Sequence, residues 1–318
     1  MTRRRFQKTA TVLLACAIAM SACGDDDLAL DDPIGQGDES TGDGSGGEES
    51  DAGTGGNETL TRSDVDCDAE TLGEGDEVQF VGAYYVVDGQ LGERCHGDDD
   101  PTILAAWENL GTIADQASLS DLALFAGFVA NDPDAEATTL AFVNVADDEG
   151  LAFQMSVNLD SYDEDLDEAT LTMAHEFSHI FTSTPSQIDR SEASAESCTT
   201  YDNGEGCFLS DSIMAQWIDL FWDEAAIDAI DPSVEPDPAD GDDRCATDDS
   251  FLGPYAASNP EEDFAETFSA FVYGIEPPSD AIGAKYDWLA DQPGLAEYRD
   301  RAEAAGVGPL ADKFEACG

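Results

Sequence analysis

Apolar residues begin to recur near Val65, and from there to the C-terminus their spacing changes from block to block. Gln79 to Val87 (Gln-Phe-Val-Gly-Ala-Tyr-Tyr-Val-Val) is dense in aromatic and β-branched residues and runs into Asp88-Gly89, the pattern of a strand ending at a turn. Pro101 opens a helical pattern that lasts to about Gln116, with Ile103, Leu104, Trp107, Leu110 and Ile113 at helical spacing. A second helix, or part of one, is predicted over Leu119 to Val129. Thr138 to Val145 and Leu151 to Leu159 predict two strands, joined by the acidic turn Asp147-Asp148-Glu149-Gly150. Glu168 to Thr182 is the next predicted helix, and Thr184-Pro185 ends it. After a long polar stretch, Asp211 to Ile230 predicts an amphipathic helix that buries Ile213, Trp217, Leu220, Phe221 and Ile227. Asp231 to Ser250, rich in Pro and Asp, reads as an exposed loop. Pro260 starts a helix to about Tyr273, and short helices are expected between Ala281 and Ala305. No internal repeat is visible.

The chain before Val65 has a different character. Arg3, Arg4, Arg5 and Lys8 precede a short apolar stretch from Thr11 to Met20. That stretch is too short to span a bilayer, which takes roughly 20 residues, and it has the layout of a secretory signal. Met20-Ser21-Ala22-Cys23 resembles the lipobox of bacterial lipoproteins, with Met where Leu is more usual. The resemblance implies that Cys23 becomes the lipidated first residue of a membrane-anchored mature chain; a plain secretory signal with an incidental cysteine is the alternative. From Gly24 to about Arg62, Gly, Ser, Thr, Asp and Glu dominate, as in Gly42-Asp43-Gly44-Ser45-Gly46-Gly47-Glu48-Glu49-Ser50. Such a stretch has too little apolar surface to offset its ordering entropy and is expected to be a disordered tether. The expected organisation is a signal at 1–22, a tether at 23–62 and one folded domain at 63–318.

Charge narrows the partners. The chain carries 71 acidic and 12 basic residues, a formal net charge of −59. Nucleic acid is excluded as a partner, because phosphate contacts need a basic footprint. Clusters such as Asp98-Asp99-Asp100 and Asp163-Glu164-Asp165 can be read as calcium ligands or as a solvated acidic face. The second reading is favoured, since no Asp-x-Asp-x-Asp-Gly loop with its closing Glu occurs. Outside the leader and Cys23, six cysteines remain: Cys67, Cys95, Cys198, Cys207, Cys245 and Cys317. An even number in an exported chain points to disulfides. Proximity pairs Cys198 with Cys207, and Cys67 with Cys95 and Cys245 with Cys317 follow by elimination. No CxxC spacing occurs, which argues against a cysteine-bound zinc.

The chemistry lies in His175-Glu176-Phe177-Ser178-His179, which holds two of the three histidines of the chain. Four-residue spacing on a helix puts both imidazoles on one face, one turn apart, within reach of one metal ion. In such an HExxH site the intervening glutamate does not bind the metal but takes a proton from the water that the metal activates. Leu171, Ala174, Phe177, Ile180 and Phe181 would seat this helix on the core. A catalytic zinc needs a third protein ligand. His96 is isolated beside Cys95, and Pro185 stands where a longer HExxHxxGxxH pattern has its third histidine. A carboxylate must therefore serve. Asn259-Pro260-Glu261-Glu262-Asp263-Phe264-Ala265-Glu266 offers Glu262 and Glu266 on one face of a helix, one for the metal and one to accept an imidazole N–H.

These two segments resemble the gluzincins, zinc peptidases with an HExxH helix and a glutamate ligand on a second helix, and most closely the lethal-factor-type and related bacterial members. The resemblance implies an α+β, zincin-like domain with a mixed sheet over the HExxH helix, and one Zn2+ per chain. It implies His175, His179 and Glu262 as ligands, Glu176 as general base and Glu266 as the carboxylate behind a ligating imidazole. Tyr255, seven residues before Glu262, takes the place of a tyrosine that stabilises the developing oxyanion; a packed core tyrosine is the plainer reading. Glu261 and Glu266 remain alternatives for the third ligand. The resemblance also implies a strand at the lower edge of the sheet on which an extended peptide can pair, with Leu151 to Leu159 as the candidate. It covers roughly Leu171 to Phe181 and Tyr255 to Phe271, and the intervening stretch is longer than usual. The function implied is hydrolysis of peptide bonds outside the cytoplasm, by a monomer acting on peptide or protein substrates. The alternative is a non-catalytic, acidic zinc- or calcium-binding surface lipoprotein.

Overall fold

The computed structural model describes residues 65–318, apart from 70, 74, 76, 77, 132–138, 148, 149, 192–196, 233, 235 and 293. The expected signal, the tether and Cys23 lie outside the described residues. The fold is α+β. A five-stranded mixed sheet is built from β1 (Val78–Val87), β2 (Gln90–Gly97), β3 (Leu122–Ala130), β4 (Ala141–Val145) and β5 (Phe153–Asn158), in the order β2-β1-β3-β5-β4. Strands β3 and β5 are parallel; every other pairing is antiparallel.

Three differences from the sequence expectation concern this sheet. Residues 119–129, expected to be helical, form a short 3-10 turn and then β3, the middle strand. Leu-Ala-Leu-Phe-Ala-Gly-Phe-Val-Ala is apolar at nearly every position because both faces of β3 are covered, and a continuous apolar run carries no period to separate strand from helix. Strand β2 is polar and mostly exposed, so no apolar pattern announced it. The edge strands of the sheet are β2 and β4, whereas the candidate edge segment, Leu151 to Leu159, supplies the inner strand β5 and then turns into α2 (Leu159–Glu164).

Strand β5 shows how the two faces differ. Phe153, Met155 and Val157 point into the main core beneath the helices. The alternate residues Gln154 and Ser156 are equally buried but polar: the Gln154 amide donates to the Leu72 carbonyl (3.0 Å) and to Ser156 Oγ (2.8 Å), tying the leading segment to the sheet. On that second face Phe128 packs against Phe80 and Phe142, with ring centroids 6.1 and 5.2 Å apart.

The helical layer comprises α1 (Pro101–Leu110), α2, α3 (Leu166–Thr182), α4 (Ile213–Phe221), α5 (Glu224–Ile227), α6 (Pro238–Cys245), α7 (Pro260–Val272), α8 (Asp280–Asp291) and α9 (Leu295–Ala305). A two-stranded ribbon, β6 (Ile188–Asp189) with β7 (Cys207–Phe208), lies between α3 and α4 in the chain. Helix α1 stops at Leu110, short of the expected Gln116. The predicted helix over Asp211 to Ile230 is broken at Trp222 and Asp223, whose extended backbone separates α4 from α5, and Leu220 is exposed rather than buried. The expected loop 231–250 contains α6, closed at its start by a reciprocal Asp237–Asp240 capping box. The acidic clusters serve local structure. Asp100 caps α1, Asp165 caps α3, and Asp99 accepts from Tyr84 Oη (3.0 Å) and pairs with Arg94 (3.2 Å).

All three expected disulfides are present: Cys67–Cys95, Cys198–Cys207 and Cys245–Cys317. Their sequence separations are 28, 9 and 72 residues. Loop closure restricts the unfolded chain more as the loop lengthens. Replacing both Cys245 and Cys317 by Ala is therefore expected to cost about 4 kcal/mol, and the same change at Cys198 and Cys207 about 2.5 kcal/mol. Urea unfolding of the two variants measures the order; equal losses would contradict it.

Candidate metal centre

Helix α3 carries the histidines, and its limits follow from local chemistry. The Asp165 carboxylate accepts from the Glu168 amide to cap its start, and beyond Ser183 the sequence Thr184-Pro185 breaks it. From Ala169 to Ser178 every residue is buried, because this helix is sandwiched between the sheet and the other helices. Leu171, Ala174, Phe177 and Ile180 face the core as the spacing required, with Phe181 half-buried. Its principal helical partner is α7. Asn259 caps α7 through the Glu262 amide, and Pro260 occupies its first turn. One face of α7 presents Glu262 and Glu266 to α3.

The donor atoms converge. Glu262 Oε2 lies 3.0 Å from His175 Nε2 and 3.6 Å from His179 Nε2, and the two Nε2 atoms are 3.2 Å apart. Among the described residues this is the one group of three potential ligands, its atoms all within 4.8 Å of one another. Behind it, Glu266 Oε1 lies 3.2 Å from His175 Nδ1. A carboxylate there holds the proton on Nδ1 and leaves the Nε2 lone pair facing Glu262 and His179. Glu262 Oε2 is fully buried and has no partner in hydrogen-bond geometry, despite its short distance to His175. A buried carboxylate oxygen without a properly aligned donor, beside two imidazole nitrogens, is a donor set that a cation satisfies. Zinc fits it: two nitrogens and one carboxylate oxygen leave a position open.

The remaining groups surround this cluster. Glu176 is 1 % exposed, and burial pushes its carboxyl up to about 7 against the pull of both imidazoles. Burial raises Glu262 as well, but the two imidazoles beside it outweigh that and hold it well below the ordinary carboxylate range. His175 is the reverse case: burial disfavours its charged form, yet Glu262 and Glu266 together raise it well above the usual imidazole value. Tyr255 is buried with its ring stacked on His175, centroids 6.0 Å apart and planes inclined by 23°. Burial, then the Glu262 and Glu176 carboxylates, raises its phenol well above 10. Glu261, the other candidate ligand, is outside the cluster; its Oε1 accepts from the Asn203 amide (2.7 Å), which sits in the Cys198–Cys207 loop. The third histidine, His96, is on β2 and takes no part in the cluster.

Sequence reasoning passed over the groups that hold α7 and the Tyr255 turn. Asp263 faces away from the donor cluster and is completely buried. Its Oδ2 accepts from the indole N–H groups of Trp217 and Trp222, both at 3.0 Å, and its Oδ1 from Lys285 Nζ at 2.6 Å. The available signal was a lysine on an apolar helical face in a chain with 12 basic residues. Helix α6 meets the turn that carries Tyr255 at Gly241, where a Cβ would come within 1.8 Å of the Pro254 carbonyl oxygen. Gly241→Ala is expected to displace that turn and cost roughly 1–3 kcal/mol, as overpacking does. Thermal unfolding tests this, and an unchanged melting temperature would mean that the turn yields freely.

No model of a known protein family matches the chain, and no curated protein does. A solved structure is similar to it: a candidate zinc-binding metallo-peptidase of Bacteroides caccae, 16 % identical over 64 % of this chain, with a TM-score of 0.28. The chain spans 64 % of that protein's length. Overlap this loose carries no weight for mechanism.

Proposed function

We propose that the protein is a zinc-dependent peptidase acting outside the cytoplasm, with His175, His179 and Glu262 holding the metal. The observation that carries this reading is the convergence of three ligand atoms, from the buried His175 and Glu262 and the half-buried His179, beside a buried glutamate, Glu176, that is not one of the three. A structural metal site has no use for that fourth group. Zinc supplies a Lewis acid that polarises a carbonyl and brings the pKa of water to about 7.

The chain's own residues do the rest. Glu176, its carboxyl raised toward neutrality by burial, accepts a proton from the attacking water and passes it to the leaving amine. Tyr255, kept protonated by burial and by the carboxylates near it, donates a hydrogen bond to the negative charge that develops on the carbonyl oxygen. Glu266 fixes the His175 ring and its tautomer. Three disulfides among the described residues fit an oxidising, extracytoplasmic setting. Among the described residues no helix is long and apolar enough to cross a membrane, and attachment through a lipidated Cys23 belongs to this proposal.

Zinc content of the purified protein tests the site, measured beside His179→Ala and Glu262→Ala. About one zinc per chain is expected, lost or much weakened in both variants, since catalytic sites use three protein ligands. A folded, metal-supplemented wild type without zinc would remove the peptidase reading. Loss in the histidine variant alone would move the third ligand to Glu266 or Glu261.

A further inference from the structure

A charged pair with no access to water is costly to keep, and this chain keeps one directly behind its metal helix. Lys285 Nζ and Asp263 Oδ1 are 2.6 Å apart, with side chains 1 % and 0 % exposed. The pair is well satisfied: both Asp263 oxygens are engaged, and Lys285 Nζ also donates to the Ser250 carbonyl at 2.6 Å. The ammonium lies over the Phe251 ring, 4.5 Å from its centroid, and 5.4 Å from that of Trp217. Replacing such a pair by apolar side chains is often neutral or stabilising, so stability alone does not account for it.

What the pair connects supplies a reason. Asp263 is the residue after Glu262, so its direction sets the rotation of the first turns of α7 and thereby the direction of the Glu262 carboxylate toward α3. Trp217 and Trp222 belong to α4 and its C-cap, and Lys285 belongs to α8, so three separate points of the fold grip this one carboxylate. Ser250 begins the segment that leads into Tyr255. The same segment is fixed further on by Arg244, which donates to the Ala257 carbonyl and lies 4.8 Å over Trp222.

We infer that Lys285 is a positioning residue of the metal centre, its buried ammonium locking the Glu262 helix and the Tyr255 segment into one arrangement. This role rests on the zinc reading above. Lys285 touches neither the donor cluster nor any reacting atom; it acts through Asp263 and Ser250. Outer partners of metal ligands typically change metal affinity about 10- to 100-fold when they are removed.

The test uses the purified full chain as wild type, Lys285→Met, Lys285→Met with Asp263→Asn, Trp222→Phe, and Phe128→Leu as a destabilised control on the opposite face of the sheet. Zinc dissociation constants come from competition with a chromophoric chelator, and melting temperatures from the metal-free proteins. Lys285→Met and the double variant are expected to bind zinc about 10- to 100-fold more weakly. Trp222→Phe should shift affinity less, in the same direction, and Phe128→Leu should keep wild-type affinity at a lowered melting temperature. The double variant, which strands no buried charge, should recover much of the stability and none of the affinity. If Lys285→Met does not fold, the double variant and Trp222→Phe decide alone. Wild-type affinity in the double variant, or affinity that follows melting temperature through every variant including Phe128→Leu, would overturn the positioning role. A wild type that takes up no zinc would overturn the metal reading, and this role with it.

Discussion

Glu176→Gln is expected to retain the zinc content of the wild type while lowering peptide hydrolysis by about 10²- to 10⁴-fold, the usual contribution of a positioned general base. The amide matches the carboxylate in size but cannot take a proton. Because Glu176 lies outside the His175, His179 and Glu262 group, its replacement leaves the donor set intact. It also removes a group whose charged form burial disfavours, so the melting temperature should hold or rise. Elemental analysis, thermal unfolding and mass spectrometry of a mixed peptide library read the three effects separately. A variant that cleaves the library as fast as the wild type would show that Glu176 is not the base. A zinc-loaded wild type that cleaves nothing would favour the non-catalytic zinc-binding lipoprotein.

The second large effect is on stability. Lys285→Met alone should cost about 3–5 kcal/mol, because it leaves the buried Asp263 carboxyl without its counter-ion. Burial already pushes Lys285 down and Asp263 up, each opposed by the charge of the other, so neither tolerates the loss of its partner. Two indole N–H groups remain on Asp263 and offset only part of the loss. Pairing the change with Asp263→Asn removes the stranded charge and should recover most of the deficit. Denaturant unfolding at neutral pH gives both values; a single-variant loss below about 1 kcal/mol, the range of a solvated pair, would mean that water reaches the site.

Much of the site was legible along the chain because its parts are local. Four-residue spacing on a helix fixes the mutual placement of His175 and His179, and the same spacing fixes that of Glu262 and Glu266. Both helices have readable starts, Asp165 before α3 and Asn259-Pro260 before α7. The disulfides were partly legible for a different reason: the near pair Cys198–Cys207 cuts the pairings of six cysteines from about 15 to about three. What failed was the assignment of elements whose pattern is set by neighbours. Strand β3 reads as any apolar run because it is covered on both faces, and β2 went unassigned because its residues are polar and mostly exposed. The break between α4 and α5 is of the same kind. Trp222 leaves the helix so that its indole can reach Asp263, a partner 41 residues away.

The sequence by itself determined which candidate residue types are available and the local geometry within each helix, since covalent spacing and helical period set these without reference to anything else. The tertiary structure decided which carboxylate faces the histidines and which is held elsewhere, as Glu261 is by Asn203. It also brought Tyr255 onto His175 and enclosed Lys285 against Asp263. Those outcomes depend on how α3, α4, α7 and α8 rotate against one another. That rotation is set by packing summed over the whole core, which no short stretch of residues contains.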